Sequence, residues 1–215
     1  MLEIVLNASL GNFSNFSSRR KSAKFRQIAA QILARDNYTC QYCGFQAKEY
    51  QEIVNRDQDY CNNRPSNLVT ACCFCSQCFF LESLGEGGYG GGILIYMPEV
   101  SQGDINSLCH VLFCAMANET SYKDSAQAIY RSLRMRSTLI DNKLGEGVSD
   151  PAVFGQLMID YATNNDSKNL SSMLSNLRLL PSRGRFKKQI ARWAASAAEE
   201  MEQQQSQQPP ALQND

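Results

Sequence analysis

The sequence predicts an α+β fold in which a small metal-binding module of strands and turns packs with a mainly helical second half. Most of the nine cysteines fall between Cys40 and Cys78, where two C-x-x-C pairs can share one ion. The short apolar run Ile93–Met97 is typical of a strand. From Ser101 onward, apolar residues recur at helical spacing behind capping residues, which predicts helices.

Composition limits the possible classes of protein. A chain of 215 residues can bury one core, or one core plus a small metal-stabilised module. Lys+Arg and Asp+Glu balance at 21 each, so no overall field attracts nucleic acid or membrane. No apolar run reaches the roughly 20 residues that span a bilayer, and the start of the chain lacks a secretory pattern. We therefore expect a cytosolic protein whose cysteines bind metal or are buried thiols.

The first hundred residues are predicted to form a short strand, a helix and the cysteine-rich module. Residues 2–6 are apolar enough for a strand, and residues 19–36 carry apolar residues at helical spacing. The module runs from Tyr38 to about Phe80. The glycine-rich stretch Gly85–Gly92 then leads into the predicted strand Ile93–Met97.

The predicted helices of the second half are marked by capping signals. Ser101 and Asp104 have capping-box spacing, and Ser121 and Asp124 repeat it. Asp150-Pro151 combines a cap with a proline at the first helical position. The predicted helices run from Ser101 to about Met116, from Ser121 to about Ile140, from Pro151 through AVFGQLMIDY, over residues 167–180, and from about Arg183 to Met201.

These elements suggest three parts of the chain. Residues 1–100 are the zinc module with its N-terminal helix, and residues 101–201 are a helical region packed on it. Residues 202–215 are rich in glutamine and proline and are predicted to be disordered.

The cysteine spacing predicts one structural Zn²⁺. Cys40 and Cys43 form a knuckle followed by Gly44, which suits a tight turn. The second pair is either Cys72 and Cys75 or Cys75 and Cys78. Four thiolates at about 2.3 Å close a tetrahedral structural site, whereas catalytic zinc usually keeps a histidine or carboxylate and an open position.

Other interpretations of the cysteines remain. Free cysteine packs as a small hydrophobe, and this interpretation is favoured for Cys61, Cys109 and Cys114. A redox dithiol is a weaker alternative for the paired set, because no thioredoxin-like βαβ pattern accompanies it. The one histidine, His110, lies far along the chain in a predicted helix.

The segments ARDNYTCQYCG and QEIVNRDQDYCNNRPSNLVTACCFC follow a basic helix. This order resembles the HNH endonuclease family, which implies a ββα-metal fold with an accessory zinc on two C-x-x-C pairs. In that family the second pair follows an Asn-Leu step, as in Asn67–Cys72 here. The resemblance therefore favours Cys40, Cys43, Cys72 and Cys75 as the metal ligands.

The same resemblance implies that catalysis is lost. Catalysis in the HNH family needs a histidine to activate water, and that position falls here on Glu52 and Ile53. Asp57 or Asp59 could bind a hard cation, but neither replaces a base that is poised near neutral pH. We predict no catalytic residues, with an active or DNA-binding HNH-like nuclease as the alternative.

Several longer segments, among them NLVTACCFCSQCFF, GEGGYGGGILIYMPE and LLPSRGRFKKQIARWAASA, resemble the IcmJ/DotN family of the Dot/Icm type IV secretion system. The resemblance implies a non-enzymatic, zinc-containing subunit of the coupling complex that selects effector proteins for export. It implies binding to the C-terminal tail of the coupling ATPase DotL, alongside DotM, IcmS and IcmW. It also implies a cytoplasmic position at the inner membrane, with no membrane span.

The family does not tell which residues contact a partner. Phe79, Phe80, Tyr89 and Tyr96 are candidates for an apolar groove, with burial in the core as the favoured alternative for each. The basic run Arg178–Arg192 is interpreted as a solvated helix face, so no nucleic acid is expected as a partner.

Overall fold

A computed structural model describes residues 1–118, 120–163 and 174–207, with side chains described as far as residue 200. Helices and two small antiparallel sheets make up these ranges, which confirms the predicted α+β class. The elements are α1 Asn12–Arg19, α2 Ala23–Arg35, β1 Gln51–Asn55, β2 Leu68–Cys72, α3 Cys73–Ser76, β3 Gly92–Tyr96, α4 Gln102–Ala117, α5 Lys123–Met135, α6 Thr138–Leu144, α7 Pro151–Thr163, β4 Leu177–Pro181 and α8 Lys187–Gln207.

The first sheet is an antiparallel hairpin of β1 and β2. Its register pairs Gln51 with Cys72 at one end and Asn55 with Leu68 at the other. Every residue of β2 is buried, and α3 follows the strand directly. The order of elements is therefore strand, strand, helix, with the cysteine-bearing end of β2 leading into the helix.

The second sheet corrects one prediction. β3 pairs with β4, which joins Gly92 to Pro181 and Tyr96 to Leu177. The helix predicted over residues 167–180 is wrong for its last residues, because Leu177–Pro181 is a strand. Leu179 and Leu180 are fully buried, so pairing with a distant strand outweighs their local helical spacing. Residues 167–173 lie outside the described residues.

Two of the three predicted caps in the helical half are confirmed. Ser101 and Asp104 form a reciprocal capping box at the start of α4. The Asp150 carboxylate accepts hydrogen bonds from the backbone N–H groups of Ala152 and Val153 at the start of α7. The third cap is wrong, because α5 begins at Lys123 with no side-chain cap and the segment breaks into α5 and α6.

The N-terminal predictions also need correction. Residues 2–6 form no strand; the Leu2 N–H donates to the Gln41 carbonyl, and Ile4 and Leu6 are buried in the core. The helix predicted over residues 19–36 begins at Ala23, and Asn12–Arg19 forms a separate helix. At the other end, α8 continues to Gln207, into the segment predicted to be disordered. Residues 208–215 lie outside the described residues.

Buried residues of both halves form one core. Phe74 of α3 lies against Phe113 of α4 and Phe186, with ring centroids 5.7 and 4.9 Å apart. Helix α4 is buried along most of its length and packs on α3, α5, α8 and β4. Gly103 allows this close approach, because a Cβ there would lie 2.7 Å from the Tyr42 carbonyl oxygen. The first turn of α4 therefore rests directly on the cysteine knuckle.

Candidate metal centre

The first cysteine pair lies on a tight turn. The Gly44 N–H donates to the Cys40 carbonyl at 3.0 Å, and the Cys40 N–H donates to the Phe45 carbonyl at 2.9 Å. Gly44 adopts a φ of 77°, a left-handed conformation that glycine accepts without strain. The turn predicted from the sequence is confirmed, and it points the two thiols to the same side.

The second pair lies where β2 becomes α3. Cys72 is the last residue of β2, and Cys75 lies within the single turn Cys73–Ser76. This turn brings the Cys75 sulfur back beside that of Cys72. Both side chains are fully buried.

The four cysteines form one cluster. The sulfur atoms of Cys40, Cys43, Cys72 and Cys75 all lie within 4.8 Å of one another. The sulfurs of Cys43 and Cys72 are 3.6 Å apart. Four sulfurs at about 2.3 Å around a tetrahedral Zn²⁺ would be about 3.8 Å apart, so the observed spacing fits such an ion. Within the described residues, this is the one His/Cys/Asp/Glu group with metal-ligand spacing.

The remaining cysteines do not join the cluster. The Cys78 thiol donates to the Phe74 carbonyl at 3.4 Å, so it is engaged outside the group of four. Cys109 is buried as predicted and Cys114 is half-buried, but Cys61 is exposed, which corrects its interpretation as a buried thiol. Cys61 lies on the loop between β1 and β2, where the Asn15 amide reaches its sulfur at 3.5 Å. None of the nine cysteines is in a disulfide.

The electrostatics of the cluster favour a bound cation. Burial acts to raise the pKa of Cys40, but hydrogen bonds from the other three thiols outweigh it and hold that pKa well below its ordinary value. Burial raises the pKa values of Cys72 and Cys75 far above normal, and the neighbouring sulfurs add to the rise. Burial therefore opposes ionisation of the Cys72 and Cys75 thiols when no cation is bound. A metal ion would favour the thiolate form of its cysteine ligands.

Two side chains of α4 reach the sulfurs. His110 Nε2 lies 3.3 Å from the Cys72 sulfur, and Asn106 Nδ2 lies 3.2 Å from the Cys75 sulfur. Both side chains are buried. Burial lowers the pKa of His110 to about 3, so the imidazole is neutral near pH 7. Sequence reasoning set His110 aside because of its distance along the chain, and it did not single out Asn106.

The other end of the β1–β2 hairpin contains a half-buried arginine. The Arg19 guanidinium donates to the Asn55 side-chain oxygen at 2.5 Å, to that of Asn63 at 2.7 Å and to the Ile53 carbonyl at 2.7 Å. It also lies over the rings of Phe25 and Tyr60, 4.5 and 4.9 Å from their centroids. Burial lowers the pKa of Arg19 to about 10, so the group keeps its charge at neutral pH.

The positions that match the histidine step of the HNH resemblance lie beside this arginine. Glu52 pairs with Arg20 at 3.0 Å, and the Ile53 side chain is buried. Asp57 accepts hydrogen bonds from the amides of Asn62 and Asn67 at 2.7 and 2.8 Å. These contacts hold the loop between the strands in place.

The aromatic residues proposed for a groove are mainly structural. Phe79 and Phe80 are buried in the core, and Tyr89 packs against Phe13 with ring centroids 4.6 Å apart. Tyr96 is half-buried at the end of β3. The core interpretation is therefore correct for Phe79 and Phe80.

A different concave surface lies beside the knuckle. It encloses about 550 Å³ between α8 and residues 37–49. The Trp193 indole N–H donates to the Glu49 carbonyl at 3.1 Å, and Arg192 pairs with the Glu49 carboxylate at 2.8 Å. We call this surface the knuckle groove; its lining includes Tyr38, Phe45, Lys48, Glu49, Arg192, Trp193, Ala197 and Glu200.

Within the part of the chain that the structure describes, no helix combines the length and apolar character needed to cross a bilayer.

The fold and the cysteine cluster define an α+β protein whose four buried thiols can hold one metal ion. No family model matches the chain. The chain is 59% identical over 199 residues to the type 4 apparatus protein DotN of Legionella pneumophila, which covers 93% of this chain and 92% of that protein. The chain therefore belongs to the DotN (IcmJ) family.

Proposed function

We propose that this chain is a non-enzymatic adaptor subunit of a Dot/Icm type IV secretion apparatus and that its four-cysteine centre holds one structural Zn²⁺. The observation that carries the proposal is the 59% identity, which extends over nearly the full length of both proteins. The relative is named a type 4 apparatus protein, and similarity over 93% of this chain supports a shared role.

Zinc is the metal that best suits the centre. All four ligand atoms are thiolate sulfurs, which favour zinc over hard cations such as Mg²⁺ and Ca²⁺. The sulfurs are buried on all sides, so the centre has the closed character of a structural site. When bound, the ion would join the knuckle to the β2–α3 junction. Structural zinc can contribute about 10–16 kcal/mol to the folding of a small module.

The adaptor role includes binding the C-terminal tail of the coupling ATPase DotL, within a complex that also contains DotM, IcmS and IcmW. The knuckle groove supports this part of the proposal. It is concave, has Phe45 and Trp193 in its lining, and has charged side chains around them. A peptide segment with apolar anchors and charged flanks fits such a surface.

Co-expression of the full chain with the DotL tail tests the proposal. We expect a complex that co-elutes in size-exclusion chromatography at micromolar concentration. Charge reversal in the groove by Lys48→Glu with Glu200→Lys should weaken the complex at least about tenfold, because each rim charge steers and orders the peptide. Glu146→Lys, on an exposed loop outside the groove, is the matched control. Separate elution of the two wild-type components contradicts the adaptor role.

The second candidate function is an HNH-like nuclease, which the strand-strand-helix order beside four cysteines favours. The missing base argues against it, because Glu52 and Ile53 stand where the HNH family has its histidine, and the Asp57 carboxylate already accepts from the Asn62 and Asn67 amides. Plasmid nicking with Mg²⁺ or Mn²⁺ tests the nuclease, and activity that disappears in Asp57→Ala would replace the adaptor proposal. A gel shift with DNA at two salt concentrations tests binding without cleavage.

A further inference from the structure

We infer that His110 and Asn106 are positioning residues of the metal centre, which donate N–H groups to the thiolates of Cys72 and Cys75 and fix these thiolates around the ion. The inference rests on the proposed metal centre, but it is independent of the adaptor role. It assigns part of the metal site to helix α4, which lies outside the cysteine-rich segment of the sequence.

The surroundings of His110 determine which ring nitrogen carries the proton. The ring is stacked between Phe45 and Phe74, with centroids 3.6 and 4.3 Å away and planes tilted by 7° and 19°. Nδ1 is buried and has no hydrogen-bond partner, whereas Nε2 lies 3.3 Å from the Cys72 sulfur. A proton on Nδ1 would be a buried donor without an acceptor, so the Nε2–H form is favoured. His110 therefore donates to sulfur.

The orientation of the Asn106 amide follows from its neighbours. Gln102 accepts from the Leu179 N–H at 2.7 Å and donates to the Leu179 carbonyl at 2.8 Å, which determines the orientation of its own amide. The Gln102 Nε2 group then also donates to Asn106 Oδ1 at 3.0 Å. The Asn106 Nδ2 group consequently faces the sulfur of Cys75, 3.2 Å away, and the Phe74 carbonyl oxygen, 3.3 Å away, so its two N–H groups can serve both acceptors. The Cys78 sulfur lies farther from the same nitrogen, at 3.9 Å. A chain of hydrogen bonds thus links β4 to the metal centre.

The spacing along α4 explains why two donors reach one site. Asn106 and His110 are four residues apart, so they lie on the same face of the helix. That face is held against the knuckle by the close packing of Gly103 on Tyr42. Four thiolates around one divalent cation carry a net negative charge, and N–H donors disperse part of it. The two hydrogen bonds should therefore strengthen metal retention and make the sulfurs less nucleophilic.

Nuclear magnetic resonance of the full chain substituted with cadmium-113 tests the inference without any mutation. A hydrogen bond to a metal-bound sulfur transmits scalar coupling between the proton and the metal nucleus. We expect coupling from cadmium to the His110 Hε2 proton and to an Asn106 side-chain amide proton. A cadmium shift typical of four sulfurs without either coupling overturns the inference. Failure of the folded chain to bind cadmium or zinc contradicts the proposed metal centre instead.

Variants give a second, independent readout. His110→Phe keeps an aromatic ring between Phe45 and Phe74 but removes the donor, and Asn106→Leu removes the other donor. Each should lower zinc affinity in chelator competition by about 10–100-fold. In cobalt-substituted protein, the sulfur-to-cobalt charge-transfer band should move to lower energy.

Cys109→Ala is the matched control, because Cys109 is a buried neighbour on the same helix and no hydrogen bond joins it to the four sulfurs. It should leave zinc affinity and the cobalt band unchanged. His110→Gln keeps an N–H donor and should recover part of the affinity lost in His110→Phe. Wild-type affinity and an unshifted band in a folded His110→Phe protein overturn the role of His110. If that variant does not fold, the cadmium measurement on the native chain decides.

Discussion

At the Gln51–Cys72 end of the β1–β2 hairpin, four sulfur atoms converge, whereas at the Asn55–Leu68 end three oxygen atoms converge on one guanidinium. Both ends bury electron-rich atoms that need a positive partner. At the oxygen end the chain supplies its own cation, Arg19. At the sulfur end, four buried thiols can hold an external cation, which is the zinc that we propose. If zinc binds there, one small hairpin uses a metal at one end and a side chain at the other.

The largest expected effect is at the sulfur end. Cys72→Ser should unfold the module or make the protein insoluble, because the zinc contribution of about 10–16 kcal/mol is as large as the whole unfolding free energy of a typical domain, about 5–15 kcal/mol. Cys40→Ser should behave in the same way. The measurement is zinc content together with the thermal unfolding profile.

Cys78→Ser and Cys109→Ser are the controls for this prediction. Both residues are buried, but they lie outside the group of four sulfurs. Both variants should keep one equivalent of zinc and lose at most about 1–3 kcal/mol of unfolding free energy. Tolerance of Cys72→Ser combined with loss of zinc in Cys78→Ser would show that the ligand set is wrong.

The next largest effect is at the oxygen end. Arg19→Met should lower the unfolding free energy by about 3 kcal/mol, because the Asn55, Asn63 and Ile53 oxygens would lose their donor. Zinc content should not change, because the arginine is not part of the sulfur cluster. Denaturant unfolding and metal analysis of the same sample measure both quantities.

Arg20→Met is the control at this end. Arg20 is exposed, forms an ion pair with Glu52 and lies 5.5 Å from the centroid of the Phe16 ring. Because these are surface interactions, the expected loss of unfolding free energy is under about 1 kcal/mol. Equal losses of unfolding free energy in Arg19→Met and Arg20→Met would mean that the half-buried Arg19 guanidinium does not stabilise the hairpin.

Gly103→Ala tests how closely α4 must approach the sulfur end. Alanine normally stabilises a helix relative to glycine by about 0.5–1 kcal/mol. Here the added Cβ would lie 2.7 Å from the Tyr42 carbonyl oxygen, so the helix must shift away from the knuckle. We expect a net loss of about 1–3 kcal/mol and faster zinc release to a chelator. An increase in stability would show that the contact is not restrictive.

The smallest effect concerns the pH dependence that Glu52, the partner of Arg20, gives to the hairpin. Burial raises the pKa of Glu52, although Arg20 and Arg19 oppose the rise. Stability from this group is complete below the unfolded carboxyl pKa of about 4.3 and is lost as pH rises through the raised pKa of the folded state. Glu52→Gln should therefore be no less stable than wild type at pH 7, and its unfolding free energy should vary less between pH 4 and 7. If the unfolding free energy of Glu52→Gln falls below that of wild type as pH rises above 4, the expected sign is wrong.

The sequence predicts the sulfur end of the hairpin better than the oxygen end. Two C-x-x-C pairs are a local pattern, and Cys40, Cys43, Cys72 and Cys75 do converge. Cys72/Cys75 and Cys75/Cys78 both have the C-x-x-C spacing that a metal needs. The resemblance to the HNH family is what favours Cys72 over Cys78 as a ligand. Arg19 falls at the start of the helix predicted over residues 19–36, and nothing local shows that a break between α1 and α2 places it beside Asn55.

Contacts between distant segments were the main features that sequence reasoning missed. The sequence predicts a helix over residues 167–180, but pairing with β3 makes Leu177–Pro181 a strand. His110 lies 38 residues from Cys72 along the chain, so only the packing of α4 brings its ring to the sulfur. Local capping patterns succeeded at Ser101 and Asp150, where the cap and its target are adjacent, and failed at Ser121.

The hydrogen bond from the Trp193 indole to the Glu49 carbonyl joins residues 144 positions apart. Synthesis proceeds from the N-terminus, so a growing polypeptide on the ribosome exposes the knuckle long before α8 exists to cover it. Until translation reaches Trp193, Phe45 lacks the indole ring that packs against it at 4.9 Å. All four cysteines of the centre leave the ribosome before α8 does, so the proposed ion can bind before that helix docks.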